Sequence, residues 1–125
     1  MPSFRVFREH PPKHEWIGGR YTFPIEIPEG KPEVILWMEM PDGVLVGSTA
    51  IDPHAPTTLA ETLDEAMLYP IEEPPRRPLR IRVPDEQMAG ELRRAFRGIP
   101  VVVAPVPELD EQFEELCEAA RSSGR

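Results

Sequence analysis

Two apolar runs separated by a turn signal constrain this chain more than any other feature. The runs are EVILWMEM, residues 33–40, and GVLVGSTAI, residues 43–51, and both are rich in β-branched or aromatic residues. Between them, Pro41 and Asp42 suit the central positions of a type I turn, and Gly43 suits the left-handed position that follows. The pattern predicts a β-hairpin in which Asp42 is a turn residue.

The next segment predicts a helix. Thr58 and Glu61 have the spacing of a capping box, and apolar residues at helical spacing follow until Pro70 ends the pattern. The proline-rich stretch IEEPPRRP then predicts a stiff linker. The hairpin is thus followed directly by helical structure.

Strands and helices alternate in the remainder of the chain. Residues 79–83 and 99–104 predict strands, Asp85 is a candidate helix N-cap between them, and Pro107 opens a last helix. Strand–helix–strand order favours parallel pairing through right-handed crossovers. We therefore predict an α/β fold, in which a mixed sheet begins with N-terminal antiparallel strands and the hairpin and continues α-β-α-β-α.

The proline-rich N-terminal region predicts two short strands outside the main body. SFRVF, residues 3–7, and RYTFPIEI, residues 20–27, alternate apolar and polar residues, and the intervening loop has Gly18-Gly19 as a turn. We divide the chain into an extension, 1–32, an α/β core, 33–121, and a frayed tail, 122–125. Pairing of the N-terminal strands between two copies predicts a homodimer.

Composition excludes several classes of protein. A length of 125 residues fits one domain, and the net charge of −8 disfavours nucleic-acid and anionic-membrane binding. No apolar run is long enough to span a bilayer or to form a signal peptide. The single cysteine, Cys117, lies on the apolar stripe of the last helix and predicts a packed small hydrophobe. We expect a cytoplasmic protein.

Familiar catalytic and metal-binding motifs are absent from the sequence. The two glycine-rich motifs that bind phosphate groups, G-x-x-x-x-G-K-[ST] and G-x-G-x-x-G, do not occur in it. It also contains no G-x-S-x-G nucleophile elbow. His10 and His14 have metal-ligand spacing, but the two prolines between them exclude a regular helix. The favoured interpretation is that these are solvated loop histidines. The alternative is a metal site that Glu15 and His54 complete.

An arginine cluster is the most prominent local charge. It consists of Arg76, Arg77, Arg80 and Arg82 in PPRRPLRIRVP. Arg forks suit carboxylate and phosphate groups, so the cluster is a candidate surface for an anionic ligand or an unidentified protein. The favoured interpretation is ion pairing with acids such as Glu39 on a neighbouring strand.

The two tryptophans receive different predictions. Trp37 shares a strand face with Ile35 and is expected in the core. Trp16, in the proline-rich loop, is a candidate exposed anchor for a binding partner.

The element order over residues 33–120 resembles the ribonuclease H-like fold of retroviral-type integrase and transposase cores. That fold has a third strand before its first helix, a place that an N-terminal strand such as YTFPIEI would fill. Active members carry acids on the first strand, after the strand that follows the first helix, and on the last helix, and hold two divalent metal ions. The resemblance implies Glu39 and Asp85 for the first two positions, Asp110 or Glu114 for the third, and Mg²⁺ or Mn²⁺ as cofactor. The stretch is also similar to uncharacterised bacterial domains.

We predict a small binding or interaction domain without catalytic activity, which needs no cofactor. The alternative is a divergent metal-dependent nuclease or phosphoryl-transfer domain that uses Glu39 and Asp85. That alternative requires these carboxylates to converge on one metal ion.

Overall fold

A computed structural model of the chain describes residues 15–28 and 30–123. The elements follow one another in the order β1-β2-β3-α1-β4-α2-β5-α3. The strands are β1 (Glu15–Thr22), β2 (Glu33–Met40), β3 (Val44–Ile51), β4 (Arg80–Val83) and β5 (Val101–Val103). The helices are α1 (Leu59–Leu68), α2 (Glu86–Ala95) and α3 (Pro107–Ser123).

The strands form one mixed sheet in the order β3-β2-β1-β4-β5. β1, β2 and β3 pair antiparallel, whereas β1, β4 and β5 run parallel. The predicted hairpin is confirmed: residues 41–43 form its turn, and Gly43 has a φ of 73°. The predicted α/β class and mixed sheet are confirmed as well.

The central strand, β1, lies where the sequence predicted a loop. Gly18 and Gly19 were interpreted as a turn, but both lie inside the strand. A Cβ on Gly18 would lie 2.4 Å from the ring of Trp37, its cross-strand neighbour, and one on Gly19 would lie 2.8 Å from the ring of Tyr21. These glycines serve close packing and not chain reversal.

The predicted domain boundary at residue 32 is therefore wrong, because residues 15–22 belong to the core. The predicted strand 20–27 is also wrong in part, since β1 ends at Thr22. At the other end, α3 extends to Ser123, past the expected end at residue 121. The strand SFRVF, through which the homodimer was predicted, and the histidines at 10 and 14 of the possible metal site lie outside the described residues.

The sheet is covered on both faces. Trp37 and Leu63 belong to the core between the sheet and the helices α1 and α2. Ile17, Leu36 and Leu109 belong to a second core beneath α3. Alternate residues of β1 therefore enter different cores, which explains why the strand is apolar on both faces.

The helix starts confirm the predicted caps. The Thr58 hydroxyl accepts a hydrogen bond from Glu61 N at 3.1 Å, and the Glu61 carboxylate accepts one from Thr58 N at 2.9 Å. The Asp85 carboxylate accepts from Met88 N at 2.8 Å. Within the described ranges, none of the helices has the length and apolar character needed to cross a bilayer.

Candidate functional site

Arg76 is held inside the fold by Glu39. Its Nε and Nη2 each donate to the Glu39 carboxylate at 2.9 Å, a bidentate pair. Trp16 Nε1 donates to the same carboxylate at 3.0 Å, and the guanidinium carbon lies 5.9 Å from the centre of the Trp16 ring. The Glu39 hydrogen bond raises the pKa of Arg76. Arg76 Nη1 also donates to the carbonyl oxygens of residues 72 and 74, so this arginine fixes the linker against the sheet.

A second ion-pair network joins β1, β4 and α3. Glu15 accepts from Arg80 at 2.6 Å and from Arg82 at 3.2 Å. Arg82 also donates to Glu108 at 3.2 Å and to the carbonyl oxygen of Pro105 at 2.6 Å. The hydrogen bond from Arg82 lowers the pKa of Glu108. The network fastens the start of α3 to the sheet.

The arginine cluster is thus divided. Arg76 and Arg82 are largely buried, and their donors are used within the chain. Arg80 pairs with Glu15 but keeps 55% of its side chain exposed, and Arg77 is exposed. The predicted ion pairing is therefore supported, although Glu15 is the acid opposite Arg80 and Glu39 pairs with Arg76.

Trp16 is not an exposed anchor. It is fully buried in the core beneath α1 and α2, the same core that contains Trp37. The prediction was wrong because residues 15 and 16 were assigned to a loop, whereas they begin the central strand. Trp37 is buried, as predicted, and its indole Nε1 donates to the Thr62 hydroxyl at 2.9 Å.

The candidate catalytic acids lie in different parts of the molecule. Glu39 lies opposite Trp16, near the amino end of β1, whereas Asp85 follows the carboxyl end of the parallel strand β4. The register separates their levels by about four residues, roughly 13 Å along the strands. Asp110 and Glu114 lie on α3, across the sheet from the core that contains Trp16. The structure therefore does not bring Glu39 and Asp85 together.

Asp110 is engaged by an aromatic cluster. Tyr21 donates its hydroxyl hydrogen to the Asp110 carboxylate at 2.7 Å. The Tyr21 ring stacks on Phe113 with centroids 4.6 Å apart. Burial raises the pKa of Tyr21 well above its ordinary value, and the hydrogen bond to Asp110 adds to this effect.

A crevice of about 370 Å³ opens at the carboxyl ends of β1 and β4. Ligands of open α/β sheets commonly bind at such a place. Arg20 pairs there with Glu33 at 3.0 Å, and Glu91 of α2 accepts from Ala60 N at 3.1 Å. Asp85 reaches this crevice, whereas Glu39, Asp110 and Glu114 do not line it.

The described residues contain no group of three or more His, Cys, Asp or Glu side chains arranged to hold a metal ion. His54, the described histidine of the possible metal site, is exposed, and its backbone N donates to the Asp52 carboxylate at 2.8 Å. Glu15, the acid assigned to that site, is used by Arg80 and Arg82.

Charge is distributed unevenly between the two edges of the sheet. Residues 32–75, which form β2, β3 and α1, contain nine acids and no lysine or arginine. Residues 76–97 contain seven of the chain's 14 basic residues. The acidic block was visible in the sequence, but only the arginine cluster had been singled out.

No protein-family model and no curated protein matches the chain. Among solved structures, the chain is similar to one chain of the cryo-EM structure of the simian T-cell lymphotropic virus intasome in complex with PP2A regulatory subunit B56 gamma. The sequence identity is 16% and the TM-score 0.59, over 89% of this chain. The present chain spans 39% of the length of that chain. At this identity the likeness concerns the fold alone.

Proposed function

We propose that the chain is a binding domain without catalytic activity, built on a ribonuclease H-like arrangement of strands. The observation that carries the proposal is the use of the candidate carboxylates within the fold. Glu39 binds Arg76 and Trp16, Asp85 caps α2, and Asp110 accepts from Tyr21. The Glu39 carboxylate accepts three hydrogen bonds, two from Arg76 and one from Trp16, which take up most of the acceptor positions that a metal ion would need there.

The strand order supports the ribonuclease H-like part of the proposal. Three antiparallel strands precede the first helix, and two parallel strands follow on the other side of β1. β1 completes the set of three strands before the first helix, a role that the resemblance had left to a segment near the N-terminus. The likeness to the viral intasome structure supports the same arrangement.

The presence of β1 before β2 weakens the case for catalysis. The resemblance places a metal-binding acid on the first strand, and that strand is β1 and not β2. Its one acid, Glu15, stands at the first position and is paired with Arg80 and Arg82. The positions that follow Glu15 in β1 are WIGGRYT, residues 16–22, and none of them carries a carboxylate.

Calorimetric titration with Mn²⁺ tests the proposal. We expect the wild-type chain to show no saturable binding up to millimolar metal. The comparison variant is Asp85→Asn, because Asn is an equally good N-cap and the variant should fold like the wild type. A saturable isotherm that this variant loses would contradict the proposal and restore the metal-dependent nuclease or phosphoryl-transfer alternative.

A further inference from the structure

Three large apolar side chains are exposed where α1 ends. Leu68 is 54% exposed, Tyr69 78% and Ile71 56%. Ile71 N donates to the Val46 carbonyl oxygen at 3.0 Å, which places this group beside β3. Adjacent apolar side chains of this size, when exposed together, commonly mark an interaction surface.

The neighbouring strand has an open edge. β3 is the outermost strand of the sheet and pairs with β2 on its inner side. On its outer side, Val46 is bonded by Ile71, and no other described segment donates or accepts a backbone hydrogen bond from Gly47 to Ile51. An open strand edge can pair with an incoming extended chain.

A small cleft connects this edge to the exposed side chains. It has a volume of about 90 Å³. Residues of β3 line one side, and residues of α1 with Tyr69 and Ile71 line the other; the lining is mixed, with Ser48, Thr49, Thr62 and Glu65 as its polar members. The cleft has the volume for one small side chain, and alternate side chains of an added strand would point toward it.

The surroundings of the edge are acidic. Of the nine acids in residues 32–75, Glu33 and Glu39 form ion pairs with Arg20 and Arg76, and the other seven form no direct ion pair with any described residue, although Glu72 interacts electrostatically with Arg76. Five of them lie on α1 or directly after Ile71: Glu61, Asp64, Glu65, Glu72 and Glu73. A second copy would bring the same negative edge and be repelled, whereas a cationic chain would be attracted.

We propose that an extended cationic segment of a partner protein, with alternating basic and apolar residues, adds as a strand to the outer edge of β3. Its backbone pairs with residues 47–51 and its apolar side chains contact Tyr69 and Ile71. Its basic side chains point to the opposite face of the sheet and are attracted by the net negative charge around this edge. This inference rests on the proposed function, since it names the partner class of the binding domain.

Fluorescence anisotropy of the full chain with a labelled peptide tests the inference. The probe is an alternating lysine–valine peptide of about seven residues, near the usual strand length. The matched probe carries N-methyl groups on alternate residues, which keeps charge and side chains but removes the donors that pair with β3. We expect the first probe to bind saturably and the second to bind about tenfold more weakly or not at all.

Two protein variants whose substitutions change no charge test the apolar contact. Tyr69→Ser with Ile71→Ser should weaken binding of the first probe about tenfold. The control is Ile25→Ser with Leu79→Ser, because these residues are 58% and 57% exposed but lie outside the β3 edge. The control should change the affinity less than about twofold.

Equal binding of both probes would overturn the inference, because it would indicate charge attraction without strand pairing. A dimer that the Tyr69→Ser, Ile71→Ser variant dissociates in sedimentation would also overturn it, with a second copy as the occupant. Absence of peptide binding would overturn it while leaving the non-catalytic proposal intact, since that proposal fails only if the Mn²⁺ titration saturates.

Discussion

Gly18 sets the distance between β1 and the ring of Trp37. The ring occupies the space that a side chain on Gly18 would need, and it is fully buried. Neither partner can move without opening the core beneath α1 and α2, because protein interiors are close-packed. The glycine is therefore required by packing at this position.

Substitution of Gly18 by Ala should lower the free energy of unfolding by about 2 kcal/mol or more, as overpacked cores do. The matched control is Gly90→Ala in α2, where the added methyl would lie 3.6 Å from an Arg94 nitrogen, an ordinary contact. The control should gain about 0.5–1 kcal/mol, because alanine favours helix over glycine. Urea denaturation measures both variants, and equal stability of Gly18→Ala and wild type would contradict the packing claim.

We expect the Glu39–Arg76 pair to affect stability mainly because removal of one partner leaves the other charge buried and unpaired. Arg76→Met should destabilise the chain by about 2–3 kcal/mol, less than for a fully buried pair because the arginine side chain is 21% exposed. Adding Glu39→Gln should recover part of this loss, since glutamine has no charge to leave unpaired and still accepts from Trp16. Thermal denaturation of both variants checks this, and a double variant less stable than the single one would contradict it.

Tyr21 gives a pH-dependent prediction. Its pKa is raised by burial and by Asp110. The unfolded chain therefore loses the phenolic proton at about pH 10, whereas the folded chain keeps it. The resulting stability is present below about pH 10 and is lost as the pH rises through the folded-state pKa. The chain has two tyrosines, so absorbance titration of Tyr69→Phe reports Tyr21 alone. We expect no tyrosinate signal before alkaline unfolding. A reversible midpoint near pH 10, roughly, in the folded protein would contradict the burial claim.

At the scale of elements, the strands and helices of residues 33–123 could be predicted because each has a local signal. The capping box at Thr58, the N-cap at Asp85 and the turn at Gly43 involve residues close in sequence. β1 could not be predicted in the same way, because Gly18-Gly19 is locally a turn signal. Its strand conformation is stabilised by the ring of Trp37, about 20 residues away in sequence, which local patterns do not reveal.

The central position of β1 predicts its hydrogen-exchange behaviour. Amides of β1 that are bonded to β2, or to β4 within residues 15–17, should exchange only through global unfolding. Outward-facing amides of β3 between Gly47 and Ile51 should exchange much faster, since no segment within residues 15–28 and 30–123 pairs with that edge. Exchange of the β1 amides as fast as the loops would support the original assignment of these residues to an extension.

At the scale of the whole molecule, negative charge gathers at the β2–β3–α1 edge and arginine at the β4–α2 side. The sequence predicted that arginines would pair with acids, because charge types are visible in it. It could not predict which acids, because Glu15 and Arg80 become neighbours only through the parallel pairing of β1 and β4. The same pairing separates Glu39 from Asp85 and removes the carboxylate site that the element order had implied.

The non-catalytic claim can be examined without choosing a carboxylate in advance. Amide NMR spectra recorded during addition of Mn²⁺ report every bound position, because the ion broadens nearby signals. We predict weak broadening at high metal concentration that follows the exposed acids of α1 and α3. Selective loss of the Asp85 and β1 signals at low metal concentration would show a metal site at the carboxyl ends of β1 and β4 and would contradict the claim.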